Sequence, residues 1–279
     1  VAIRKRTRRR NTGLTLGFIL LGSVLLLFVI LPLLSMLFGT SPKALFETLT
    51  EAYVLASLGL TFYAAAWATL LAVVTGIPLA HLLARYDFAG KNWVEGIINL
   101  PIVVPHTAAG IALLMVFGRQ GFLGKALGLV GLRFTDHVPG IVVAMLFVSL
   151  PFLVNAARDA FAAIDPELEA AARVDGATPW QAFVHVTLPL AWRGIVSGML
   201  LMWGRGISEF GAVVILAYNP KTVPVLVYER FMGFGLDAAQ PIAVILILAS
   251  LVVFGLLQAL LVPREKTARK RRSSGNTTE

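Results

Sequence analysis

The chain is a succession of long apolar runs separated by short charged ones. Asp, Glu, Lys and Arg are absent from residues 11–42, 52–84, 96–118, 138–157 and 238–263, and a sixth run, 194–217, is interrupted only by Arg205 and Glu209. Each run reaches the roughly 20 residues that a helix needs to cross the hydrocarbon core. The runs are continuously apolar and do not alternate, which favours helices over barrel strands, and a helix satisfies its own backbone in lipid. The pattern predicts an all-α integral membrane fold with six transmembrane helices, at about 14–38, 54–82, 95–118, 138–157, 194–217 and 240–262.

Composition agrees and removes alternatives. Of 279 residues, 57% are hydrophobic and 14% charged, against about 45–50% and about 25% in a soluble domain. That leaves too little polar surface for a globule in water. The net charge of +9, from 24 Lys and Arg against 15 Asp and Glu, raises the question of nucleic acid. The basic residues, however, sit at helix ends and make no patterned face, so no nucleic-acid partner is expected. With both termini cytoplasmic, 17 Lys and Arg fall on the inner side and 6 on the outer. This is a positive-inside bias, and it predicts a multi-pass protein of the cell membrane, with the bilayer as a partner and basic tails able to touch anionic lipid. The basic stretch Arg4 to Arg10 precedes a run far longer than a signal-peptide core, so the first run is expected to be a retained signal anchor. The expected domain is 14–263, between a basic cytoplasmic tail at 1–13 and a basic, disordered one at 264–279. The chain has no cysteine and hence no thiol chemistry.

The longest inside loop, 158–193, carries helix punctuation. Asp165-Pro166 reads as an N-cap with proline at the first helical position, and Glu167 and Glu169 suit the first turn. Glu169-Ala170-Ala171-Ala172-Arg173 is a strong helix former, and Gly176 is placed to end it in a left-handed cap. Thr178-Pro179 starts a second short helix, which Leu188-Pro189 is expected to end before the fifth span. On the bland reading this is an interfacial connector.

The same residues resemble the cytoplasmic EAA motif of permeases from ATP-binding-cassette importers. Val186, Thr187, Leu188 and Pro189 follow Gly176 at the motif's spacing, while its acidic position falls on Ala170, so that Glu169 lies one residue early. Asp175-Gly176-Ala177 and Trp180-Gln181-Ala182-Phe183 are also similar to the family. The resemblance implies the type I importer permease fold, and a coupling helix that docks on a cytoplasmic ATPase subunit through Glu169, Ala170, Ala171, Ala172, Arg173, Asp175, Gly176, Ala177, Trp180, Phe183, Val186, Leu188 and Pro189. Arg173 and Asp175 read as either orienting contacts or solvated charge. It also implies a homodimer around one path, two ATPase subunits, an extracytoplasmic binding protein and an alternating-access cycle.

Two further segments carry candidate chemistry. Arg205 and Glu209 are four residues apart inside an apolar run, with Ser208 between them. They make either an internal ion pair or part of the translocation path or its gate. Pro101 and Pro105 predict a kinked or broken third span, which makes Asn99, Pro105, His106 and Thr107 candidate path residues; a satisfied interfacial histidine is the bland reading of His106. Gly206-Ile207-Ser208-Glu209-Phe210-Gly211-Ala212 and Pro224 to Arg230 resemble the molybdate/tungstate branch of the family. Sulfate or thiosulfate permeases are the alternative substrate reading.

Other chemistry is not expected. The run Gly118-Arg119-Gln120-Gly121-Phe122-Leu123-Gly124-Lys125-Ala126 looks like a phosphate loop, but has five residues between its outer glycines, and Ala where Ser or Thr is required. Histidines 81, 106, 137 and 185 have no metal-ligand spacing, so neither metal nor cofactor is expected, and no catalytic constellation is evident. The chain is thus expected to be a transport subunit and not an enzyme. A secondary transporter driven by an ion gradient, the reading of a different class, favours inverted repeats and ionisable groups in both halves. No repeat is found, and only the fifth run has such a pair.

Overall fold

A computed structural model describes residues 12–261. Apart from Thr12 and Gly13, the expected tails at 1–13 and 264–279 lie outside the described residues. Every regular element among the described residues is helical: α1 (Thr12–Gly39), α2 (Pro42–Thr50), α3 (Ala52–Arg85), α4 (Lys91–Val103), α5 (His106–Phe117), α6 (Phe122–Gly128), α7 (Val138–Ala162), α8 (Pro166–Val174), α9 (Pro179–Ala182), α10 (Leu188–Ile207), α11 (Gly211–Leu216), α12 (Val223–Phe234) and α13 (Leu236–Leu261). A single π-helical turn, Phe183–Thr187, joins α9 to α10.

The centre of the bundle is α7, which packs against α3 and α10, with α4, α5 and α11 around it. Sequence explains the close approach of α3. Ala64, Ala68, Ala72, Gly76 and Ala80 recur every four residues and are buried, giving a stripe without bulk. Without a hydrophobic drive between helices in lipid, such small-residue faces let van der Waals contact hold them together. One core gathers Ile141, Met145 and Val148 of α7 with Trp203, Ile207 and Leu216. A second, nearer the loop between α7 and α10, gathers Val154, Ala157 and Phe161 with Leu83, Ile98, Ala191 and Ile195.

Five helical stretches are long and apolar enough to cross a membrane. The predicted third span is instead α4 and α5, bent by 115°. The break falls at Val104-Pro105 and not at Pro101, which lies inside α4. Proline disfavours helical geometry in the residue before it, and Val104 is extended, with φ −70° and ψ 130°.

The predicted fifth span is also broken: α10 stops at Ile207 and α11 starts at Gly211. At its other end α10 begins earlier than expected. Leu188-Pro189 does not terminate a helix, because the π turn closes a wider ring, with the Leu188 N–H donating to the carbonyl of Phe183. Pro189 then sits in the first turn of α10, where its missing N–H matters least. The result is one helical rod of 29 residues, Pro179–Ile207.

Peripheral α1 contrasts with α7: none of its apolar window is buried, and it touches the rest of the chain mainly at α13. Its surroundings must be lipid or another apolar surface.

Candidate functional site

Two groups of residues stand out, at the loop between α7 and α10 and at the helix breaks. In the loop, Asp165 caps α8 by accepting from the Glu167 N–H at 3.0 Å. The other end closes in a Schellman pair: the Ala177 N–H reaches the Ala172 carbonyl at 3.0 Å and the Gly176 N–H that of Arg173 at 3.1 Å. Gly176 holds φ at +95°, a left-handed value that glycine adopts without strain. Thr178 and Gln181 then form a reciprocal capping box, with contacts of 2.8 and 3.3 Å. The loop's own residues therefore start and stop α8 and start α9.

The loop is braced to the bundle. Oε1 of Glu169 accepts from Nε of Arg85 at 3.0 Å and from the Thr187 hydroxyl at 2.7 Å, and Nη2 of Arg85 lies 2.8 Å from it. Nη1 of Arg85 donates to the Ile164 carbonyl at 2.9 Å. One carboxylate oxygen thus joins α8 to the end of α3 and to the π turn. Aromatic packing adds a second brace, since the His81 ring lies 5.3 Å from Phe161 and 4.8 Å from Phe183. Beside these braces, Leu168, Val174 and Trp180 expose apolar surface, with the Trp180 ring 5.8 Å from that of Phe183. Ala170, Ala171, Arg173, Asp175 and Gly176 are exposed, and Ala172, Ala177, Phe183, Val186 and Leu188 are half-buried. Neither Arg173 nor Asp175 makes an ion pair among the described residues.

The second group forms where the two broken helices meet. Gly110 and Gly211 make the contact possible: a Cβ on Gly110 would lie 3.0 Å from the Ala212 Cα, and one on Gly211 2.8 Å from the His106 Cβ. Glu209, fully buried, sits in the break between α10 and α11. Its Oε1 accepts from the Ala212 N–H at 2.8 Å, which starts α11. Its Oε2 lies 3.0 Å from Nη2 of Arg205 and 3.1 Å from Nδ1 of His106. Nη1 of Arg205 donates to the Ser208 hydroxyl at 3.3 Å. The carboxylate is behind, while His106, Arg205 and Ser208 form a partly exposed rim.

The break therefore brings His106 to Arg205, Ser208 and Glu209, which lie about a hundred positions later in sequence. Pro105 makes the turn into α5, and the Thr107 backbone packs on Gly211 while the residue itself is exposed. Asn99 is elsewhere. Its Oδ1 accepts from Nδ2 of Asn155 at 2.7 Å, joining α4 to α7. Arg85 and Thr187 escaped the sequence reading as site residues. The available signal was that Arg85 closes the second charge-free run.

Residues 72–267 match the family of the binding-protein-dependent transport system inner membrane component. The chain belongs to this family. The permease is 41% identical to the molybdate/tungstate transport system permease protein WtpB of Thermococcus kodakarensis, over 90% of this chain and 97% of that one. It is 43% identical to WtpB of Methanocaldococcus jannaschii, over 84% and 92%. The sulfate transport system permease protein CysT of Escherichia coli is more distant, at 33% identity over 88% and 92%. Among solved structures, a bacterial alginate ABC transporter in complex with a periplasmic protein gives a TM-score of 0.71 at 17% identity, covering 89% of this chain and 94% of that one. The MetNI methionine ABC transporter gives 0.58 at 17% identity, covering 75% and 92%. The fold is that of the type I ABC importer permeases, and the permease is a multi-pass transport subunit whose ATPase is a separate polypeptide.

Proposed function

We propose that the permease forms, as a homodimer, the path through which molybdate or tungstate is imported. It is served by two cytoplasmic ATPase subunits and an extracytoplasmic binding protein, with both chain termini in the cytoplasm. The substrate reading rests on the likeness to the two WtpB proteins, which exceeds that to the sulfate permease. The homodimer is favoured by α1, whose apolar surface is left uncovered by its own chain.

The observation that carries the mechanism is the braced loop. A knob must move as a unit if nucleotide-driven motion is to reach the membrane undamped. Exposed Trp180, Val174 and Leu168 supply an apolar face for a groove on the ATPase. The Glu169–Arg85 pair passes displacement to α3, and the rod from Pro179 to Ile207 passes it toward the break. There the rim of Arg205 and His106 offers positive charge and donors to a passing dianion, while buried Glu209 limits the net charge so that the ion is not trapped.

Reconstituted transport tests this reading. The permease, its ATPase and the binding protein are placed in proteoliposomes, and uptake is followed with the binding protein loaded in turn with molybdate, tungstate and sulfate. ATP-dependent uptake of the first two, well above sulfate, is expected. Preference for sulfate would transfer the assignment to the sulfate branch, and uptake by the permease alone under an ion gradient would overturn the importer reading.

A further inference from the structure

The glycine-rich run that is unsuited to nucleotide folds into a different feature. It lies at the end of the bundle opposite the braced loop, the outer end in the proposed orientation. A Cβ at Gly124 would lie 1.9 Å from the Gly118 carbonyl oxygen, so the chain doubles back there only because side chains are absent. The fold leaves a cavity of about 420 Å³ lined by Arg119, Lys125, Arg133, Thr135 and the Phe117 and Phe134 rings, whose centroids are 5.0 Å apart.

Its charge is one-sided. Six Lys and Arg residues lie at this end of the protein, and three are neutralised: Lys43 by Glu47, Lys221 by Glu229 and Arg230 by Glu51. The other three are Arg119, Lys125 and Arg133, whose side chains have no ion pair or hydrogen bond among the described residues and which all line this cavity. No carboxylate lines it. In addition, the Thr135 hydroxyl is buried and has no hydrogen-bond partner. Like charges gathered without a counter-charge repel one another, and a bound anion relieves that repulsion through charge-assisted hydrogen bonds. A buried hydroxyl without a partner is likewise costly until a ligand accepts from it.

We propose that this cavity is an outer anion site that holds a tetrahedral oxyanion dianion on its way to the rim of Arg205 and His106. The inference rests on the import reading above and adds a waiting position to it. The cavity is open and wide enough for a partly hydrated dianion, so binding is weak and weakens with salt. One element joins the two places. Helix α5 runs from His106 at the break to Phe117 at the cavity, about 18 Å by helical rise. A dianion released by the binding protein is kept near the path instead of being lost to the medium.

The test uses the full-length permease in lipid nanodiscs with no binding protein, and tungstate as the probe. Wild-type protein is expected to bind tungstate in equilibrium dialysis, and the triple variant R119Q/K125Q/R133Q to bind at least about tenfold more weakly, with unchanged thermal unfolding. T135V, which keeps all charges, is expected to give a smaller loss. In the reconstituted importer the triple variant raises the concentration of loaded binding protein needed for half-maximal uptake and leaves the maximal rate intact.

Equal tungstate binding by wild type and triple variant would overturn the site. So would a triple variant that keeps tungstate but loses affinity for the binding protein, since the cations would then be a docking surface. Displacement of tungstate by anionic lipid in the nanodisc but not by free sulfate would assign the cavity to headgroups and also overturn it. If the wild-type importer moves no oxyanion, the import reading falls by that measurement alone, while the dialysis result still judges the cavity.

Discussion

Glu169 and Glu209 are both carboxylates held by a guanidinium, yet they do opposite jobs. Glu169 is partly exposed, and its arginine comes from another helix, 84 positions away. Glu209 is fully buried, and its arginine is four residues earlier in the same segment. A pair that spans elements ties them together, and in the proposed coupling it is the link that passes movement between them. A pair within a broken helix holds the break shut and satisfies its backbone, as the Ala212 N–H shows. Placement of the partner, not the chemistry of the pair, decides between brace and staple.

The largest effect is expected at the staple. Glu209→Ala leaves Arg205 beside a buried, empty position and removes the acceptor of the Ala212 N–H, which costs about 3–5 kcal/mol in comparable buried pairs. Thermal unfolding in detergent should show a large drop or no folded protein, and wild-type stability would break the distinction drawn here.

At the brace the order of effects reverses. Glu169→Ala is expected to cost about 1.5–3 kcal/mol of stability, the range of hydrogen bonds to charged groups, while largely abolishing stimulation of the ATPase by loaded binding protein. Arg85→Ala should do the same, and the double variant should be no worse than either single one. Additive losses would mean that the two residues act separately.

A smaller loss is expected at Gly176→Ala, about 1–2 kcal/mol for an L side chain in the left-handed region. Hydrogen exchange should locate it in the last turn of α8. Protection unchanged across residues 172–178 would remove the Schellman cap from the account of rigidity.

The smallest effect belongs to the trio Tyr218, Lys221 and Glu229. The hydrogen bond from Lys221 holds the Glu229 carboxyl below its ordinary value, against the opposing effect of burial, and Tyr218 adds a second bond. The bond to Glu229 holds the Lys221 amine above its own ordinary value, again against burial. Burial first, then the Glu229 bond, raises the Tyr218 hydroxyl. A depressed carboxyl contributes stability above its unfolded value that is lost as pH falls through the folded one. A raised amine contributes below its unfolded value and loses that as pH climbs through the folded one. The contribution of Lys221 and Glu229 is therefore flat between their ordinary values of 4.5 and 10.5 and fades outside them. Lys221→Met should reduce the slope of acid unfolding below the lower value, and an unchanged slope would discard the pair as a contributor.

Much of this was legible in sequence for physical reasons. Charge is so costly in lipid that its absence marks the spans, and Asp165-Pro166, Gly176 and Thr178-Pro179 marked the loop because caps are local events. What escaped depends on distance. Nothing near Arg85 announces Glu169, and nothing near Asn99 announces Asn155. Arg205 and Glu209 were legible as a pair, but not as flanking the end of a helix, since Ser208 and Phe210 carry no breaker signal. The role of Pro189 was misread because the π turn that accommodates it has no sequence signature, whereas Leu-Pro ordinarily stops a helix.

That π turn also sets a phase. A residue inserted or deleted between 183 and 187 would turn one end of the rod against the other by about 100°. Trp180 and Arg205 keep their mutual bearing only while the count between them is kept. The segment behaves like a keyed shaft, tolerant of many changes of side chain and intolerant of a change in length.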